Sequence, residues 1–238
     1  MKKRIAVLCS GGGSNLQALL DYFGRLGDQR AADVVLVASD RASAGALLRA
    51  RNHGVQAVAM DAAMRTSGLS SLLVEHRTDL IVLAGYLRFI PNDVTSAFRG
   101  RIMNIHPSLL PAFGGHGMFG HHVHEAVLAA GTRLTGATVH FVDAQYDHGP
   151  IIAQWPVPVF PDDTVDELAE RVLAIEHQIY PPAVHAVARG DVSLGSDGHV
   201  VASSGPRSAT RFALTATADI GAMALDVGRR LPERQSSN

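Results

Sequence analysis

The chain has 238 residues, 47% hydrophobic and 18% charged, with a formal net charge of −1. That balance suits a globular protein with a sizeable core, and the absence of a Lys/Arg stripe argues against a nucleic-acid groove. The single cysteine, Cys9, excludes an internal disulfide and fits a reducing compartment. Lys2, Lys3 and Arg4 followed by four apolar residues start like a secretion signal, but the run stops at Ser10 and Gly11. No apolar run is long enough to span a membrane. A cytoplasmic protein without membrane or nucleic-acid partners is the expectation.

Residues 5–9, 34–38, 55–59 and 80–84 are apolar, β-branched-rich runs that read as buried parallel strands. Helical patterns lie between them, the first built on Leu16, Leu19, Leu20 and Phe23 and closed by Gly24. This alternation implies right-handed βαβ units, a mostly parallel sheet and helices on both of its faces, an α/β fold of Rossmann-like type.

The turn after the first strand is Ser10-Gly11-Gly12-Gly13-Ser14-Asn15-Leu16-Gln17. Glycines let the backbone approach an anion, and the helix that follows offers free N–H groups. No Lys follows them as in a P-loop, and no third spaced glycine completes a dinucleotide fingerprint. The stretch reads either as a phosphate cradle or as a tight turn. Residues 85–91, Gly-Tyr-Leu-Arg-Phe-Ile-Pro, follow the fourth strand at the edge where open α/β sheets bind ligands. Arg88 there either meets an anionic ligand group or is a solvated helix-start arginine.

In Arg101-Ile102-Met103-Asn104-Ile105-His106-Pro107-Ser108-Leu109-Leu110-Pro111, Asn104 and His106 stand two apart on an extended segment. Both therefore project to one face, and Pro107 biases His106 away from helix. An amide and an imidazole so placed suit a developing oxyanion and a moving proton; they also suit an ordinary turn after a strand. A glycine-rich stretch, 111–120, leads to His121, His122 and His124, which with His116 invite a metal reading. Adjacent histidines seldom share one metal and no acidic or cysteine partner sits at zinc spacing, so no metal is expected.

Residues 136–142 form another strand, with Thr138 and His140 on one face, and 151–159 a further one. Between them Asp147 sits in a turn-rich loop. Within reach of His106 it would raise the imidazole above its ordinary value of about 6.5; otherwise it is a turn-forming aspartate. The last clear helix starts after Asp163 with Thr164 and Glu167 in capping-box spacing, and Pro181 is expected to end it. Its apolar stripe is Leu168, Val172, Ile175 and Ile179. Glu176 borders that stripe, either paired or bound to ligand hydroxyls, or with its head in water.

Gly11-x-Gly13-Ser14-Asn15-Leu16-Gln17, Leu83-Ala84-Gly85-Tyr86-Leu87-Arg88, Asn104-Ile105-His106-Pro107-Ser108-Leu109-Leu110-Pro111 and Asp147-x-Gly149-Pro150, in this order, resemble the folate-dependent phosphoribosylglycinamide formyltransferase family. The resemblance runs over residues 4–203 and implies the formyltransferase-type Rossmann-like fold. It implies a mononucleotide-binding half (1–100) and a catalytic and folate-binding half (101–203) sharing one sheet. A C-terminal extension (204–238) falls outside it, with a helix expected from Ala216 to Leu231 and a disordered end. The implied reaction transfers formyl from 10-formyltetrahydrofolate to the amine of 5-phosphoribosylglycinamide in purine biosynthesis, in a monomer or homodimer.

The resemblance further implies that Asn104, His106 and Asp147 form the catalytic trio, with His106 protonated. Gly13, Ser14 and Asn15 would take the phosphate and Glu176 the ribose hydroxyls. Leu87, Arg88, Phe89, Ile90, Asn104, Asp143 and Asp147 would contact the folate, with Arg65 as a further arginine for its carboxylate. His140 would support the trio from the neighbouring strand. The family pattern is broken at His148, at Ala144 and in the histidine-rich 113–124 loop. A formyltetrahydrofolate hydrolase using the same trio is the alternative reading.

Overall fold

The computed structural model describes residues 1–203 and the pair 214–215; the helix expected at 216–231 and the rest of the extension lie outside the described residues. The strands are β1 (Lys3–Cys9), β2 (Ala32–Ser39), β3 (Gln56–Ala59), β4 (Leu80–Leu83), β5 (Ile102–His106), β6 (Leu134–Phe141) and β7 (Ile151–Pro158). A short hairpin, β8 (Val192–Leu194) and β9 (Val200–Ala202), forms a second small sheet, and β10 (Leu214–Thr215) pairs with β7. The helices are α1 (Ser14–Leu26), α2 (Gly45–Asn52), α3 (Leu69–Glu75), α4 (Asn92–Ala97), α5 (His121–Ala129) and α6 (Val165–Arg189).

The main sheet runs β10-β7-β6-β5-β4-β1-β2-β3. The block from β3 to β5 is parallel, and β6, β7 and β10 each pair antiparallel with the strand before them in the sheet. Strands buried on both faces carry unbroken apolar runs: Ile5 through Cys9 have no exposure at all. One core lies under α1, α5 and α6, and the other under α3 and α4. The strand order reverses between β1 and β4, which opens a crevice at the carboxyl edge of the sheet. The loops after β1, β4 and β5 all leave from that edge.

Two helix ends differ from expectation. α1 passes through Gly24 and stops at Gly27, whose φ of 54° with ψ of −123° is a conformation that glycine alone adopts readily. Leu26, packed on the core, favours the extra turn. α6 begins with the expected capping box, Thr164 to Glu167, but continues through Pro181 and Pro182 to Arg189. Missing N–H groups weaken the ladder there. Tyr180, Ala183 and Val184 are fully buried on either side, and that burial holds the helix together. The Tyr180 hydroxyl shares its proton between the carbonyls of Leu83 and Met103, 2.9 and 3.0 Å away. It thereby ties α6 to the ends of β4 and β5. No helix among the described residues is long and apolar enough to cross a membrane.

Candidate active site

A cavity of about 380 Å³ opens at the carboxyl edge. Its inner end holds Asn15 and Glu176, brought together by the packing of α1 against α6. Asn15 Nδ2 donates to Glu176 Oε2 at 2.7 Å, and both residues are buried. Burial pushes the Glu176 carboxyl up to about 7, against the opposing Asn15 hydrogen bond. Glu176 is thus the paired glutamate, not one with its head in water.

Gly13 and Ser14 do not line this cavity but stand beside it, in the turn from β1 to α1. Gly13 has φ of 78°, and a Cβ there would meet Ala46 at 2.8 Å, so the loop needs glycine to lie against α2. Ala46 N donates to Gly11 O, and Arg49 Nε to Gly12 O at 2.8 Å. Because peptide planes are rigid, the N–H groups of Gly12 and Gly13 then turn away from α2. Arg49 escaped the sequence reading because nothing in its helix marks it.

The middle of the cavity is built on β5. Asn104 and His106 face the same side, as their spacing requires, and β6 places His140 directly across from Asn104. Asp147 arrives from the β6–β7 loop with a φ of 54°, and a Cβ at the nearby Gly149 would collide with the Phe141 carbonyl. Asp147 Oδ2 accepts from Gly115 N at 2.9 Å and lies 3.4 Å from His106 Nδ1. His106 Nε2 is 2.8 Å from Phe113 O, which can only accept, so Nε2 carries a proton. The same logic puts a proton on His140 Nδ1, 2.8 Å from Phe141 O. His140 Nε2 is then free to accept from Asn104 Nδ2 at 3.1 Å. That contact fixes the Asn104 amide orientation, with its second hydrogen toward Asp147 Oδ1 at 3.5 Å.

The electrostatics correct one expectation. Burial holds the His106 imidazole below its ordinary value and outweighs the Asp147 carboxylate and Phe113 carbonyl, which favour the charged form. His106 therefore rests neutral. Asp147 goes the other way for a carboxylate: burial opposes its charge, but the Gly115 N–H donated to Oδ2 favours the anion, and the carboxyl stays below the usual value.

The outer end is apolar and open. Leu87, Phe89 and Tyr146 are exposed large side chains here. Phe89 and Tyr146 pack edge-on at 5.3 Å, and Tyr146 meets His116 at 5.7 Å. Arg88 lines the mouth but its Nε donates to Asp40 Oδ2 at 2.9 Å, and the Asp40 side chain is fully buried. Leu87 N donates to Ser10 Oγ, so the loops after β1, β2 and β4 are cross-tied. Asp40 immediately follows β2 at the binding edge, a position that could have singled it out. Asp143 lines the wall, caps Gln145 N at 2.8 Å and lies 3.3 Å from His148 Nδ1. Arg65 is not brought to the cavity: it sits in the turn before α3, and its guanidinium donates to Met60 O. Among the described residues, no group of three or more His, Cys, Asp or Glu is arranged to hold a metal ion.

The chain is similar to known proteins. The family model described as formyl transferase matches residues 3–184. A phosphoribosylglycinamide formyltransferase, chloroplastic, of Vigna unguiculata is 42% identical over 203 residues, covering 83% of this chain and 64% of its own length. The crystal structure of glycinamide ribonucleotide transformylase 1 from Symbiobacterium toebii has a TM-score of 0.77 at 43% identity, over 85% of this chain and 95% of that one. A phosphoribosylglycinamide formyltransferase from Anaplasma phagocytophilum has a TM-score of 0.78 at 35% identity, over 87% and 96%. With the matched segment spanning β1 through most of α6, and so every element that builds the cavity, this chain belongs to the formyl transferase family.

Proposed function

We propose that the protein transfers the formyl group of 10-formyltetrahydrofolate to the amine of 5-phosphoribosylglycinamide, in purine biosynthesis. The observation that carries this reading is one cavity with three chemically distinct zones. The Asn15–Glu176 pair suits ribose hydroxyls, the His106–Asp147–Asn104 cluster suits acyl transfer, and the aromatic mouth suits a flat heteroaromatic ring. Residues 1–100 supply the nucleotide zone together with Glu176, and residues 101–203 supply the central cluster. Gly13, Ser14 and Asn15, with the outward N–H groups of the turn, would hold the phosphate. Leu87, Arg88, Phe89, Ile90 and Asp143 would flank the folate. Cys9, fully buried, suits a reducing cytoplasmic setting.

In the mechanism, the substrate amine attacks the formyl carbon and a C–N bond forms. His106, protonated on Nε2, presents the Nδ1 lone pair and takes the proton released by the amine. Asp147, 3.4 Å from that nitrogen, stabilises the imidazolium. One hydrogen of Asn104 Nδ2 is held by His140; the other makes only a long bond to Asp147 Oδ1, 3.5 Å from Nδ2, and turns to the oxyanion. The C–N bond to the folate nitrogen then breaks, and the imidazolium returns its proton to that leaving nitrogen. His106 thus acts as base and then acid.

The test is spectroscopic. Loss of formyl from 10-formyltetrahydrofolate is followed by absorbance with and without 5-phosphoribosylglycinamide. Turnover that needs the nucleotide and is lost in His106→Ala supports transfer. Turnover without it supports the hydrolase.

A further inference from the structure

His124 is a buried titratable side chain of the cavity that the chemistry above leaves unused. It projects from α5, is 4% exposed, and lines the cavity. α5 packs against α6, and His124 lines the same cavity as Glu176 of α6, with His106 close to it. Its Nδ1 is sealed from solvent and has no hydrogen-bond partner among the described residues. Its Nε2 is not sealed, so that edge is the one open to the cavity. Burial, with His121 and His106 nearby, pushes the imidazole down to about 4, and the ring is neutral near pH 7. A neutral imidazole carries one proton. On Nδ1 it would be a sealed N–H without an acceptor, the rarer orphan. On Nε2 it faces the cavity, so Nε2–H is the tautomer.

We propose that His124 orients the amine substrate by donating from Nε2 to the glycinamide carbonyl oxygen. The inference rests on the proposed function. In that substrate the carbonyl lies between the ribose, which Glu176 would hold, and the amine, which must reach His106. A donor that stays neutral suits a neutral carbonyl and does not compete with His106 for the amine's proton. An unpartnered imidazole lining the cavity otherwise has no hydrogen-bonding purpose.

Calorimetric titration of the full-length protein, His124→Leu and His124→Gln tests this with three probes: 5-phosphoribosylglycinamide, ribose 5-phosphate and 10-formyltetrahydrofolate. Gln can place an amide N–H near the Nε2 position. His124→Leu is expected to weaken the glycinamide nucleotide about tenfold, the loss of one hydrogen bond, while ribose 5-phosphate and the folate bind as before. Gln is expected to recover most of that loss. Unchanged nucleotide affinity in His124→Leu overturns the inference, as does equal weakening of ribose 5-phosphate, which marks a merely structural role. A ¹⁵N spectrum showing Nδ1 protonated also overturns it. If the unaltered protein binds the folate but not the nucleotide, the proposed function itself fails and takes the inference with it. If it binds and turns over both while His124→Leu matches it, the inference alone falls.

Discussion

Glu176 at the inner end of the cavity and Asp147 at its centre are both carboxylates taken largely out of water, yet their charges are tuned in opposite directions. Glu176 has one amide partner, Asn15, and burial prevails. Asp147 accepts the Gly115 N–H and, at longer range, the Asn104 amide, and these donors prevail over burial. The number and kind of partners, not depth, decide which carboxylate stays ionised. The consequence is a division of labour. In the proposed reaction Asp147 would be preorganised as an anion for a cation that appears only during the chemistry, whereas Glu176 would gain its remaining partners from ribose hydroxyls.

The largest effects should come from the central region. His106→Ala is expected to lower kcat by about 10²–10⁴, with little change in nucleotide affinity, in steady-state assays. Asn104→Ala should cost about 10²–10³ in kcat, the usual loss for one oxyanion donor. Comparable damage to nucleotide binding in either variant would erase the distinction between the two ends.

Glu176→Gln sharpens the comparison through pH. The folded carboxyl titrates near 7 rather than at its ordinary 4.5, so its stabilising contribution is complete below 4.5 and is lost as pH rises through 7. That difference corresponds to about 3 kcal/mol. Denaturant titrations should show wild-type stability declining over this window relative to Glu176→Gln, and parallel curves would refute the assignment. The variant's KM for the nucleotide should rise about tenfold, the equivalent of one hydrogen bond.

The neutral resting state of His106 sets a third expectation. A base must be unprotonated, and burial lowers this one, so the acid limb of the kcat pH profile should fall below about 6.5. An acid limb above that value would restore the charged imidazole expected from the sequence. The smallest effect belongs to the mouth: Asp40→Asn loosens Arg88, whose side chain is exposed although the Asp40 carboxyl is buried, and should raise the folate KM by about two- to fivefold. Stronger loss would mean that Asp40 shapes the whole crevice.

The periodicities of the chain were enough to determine the parallel strands, the capping box of α6 and the common face of Asn104 and His106, because each depends on neighbours in sequence. The Asn-x-His-Pro run and the glycine turn carried the family resemblance. Only the tertiary structure showed what several ambiguous residues touch. Glu176 is paired because α1 delivers Asn15 across 161 positions. Arg88 is held because Asp40 follows β2, two strands away in the sheet, and Arg65 stays out of the cavity lining because its turn folds back on Met60. α6 survives its prolines because Tyr180 and Val184 are buried around them. The charge of His106 is set by desolvation against Asp147 and Phe113 together, a balance among groups far apart in the chain or on separate loops. Local pattern encodes direction and type; contacts between distant segments, and the water they exclude, set the chemistry.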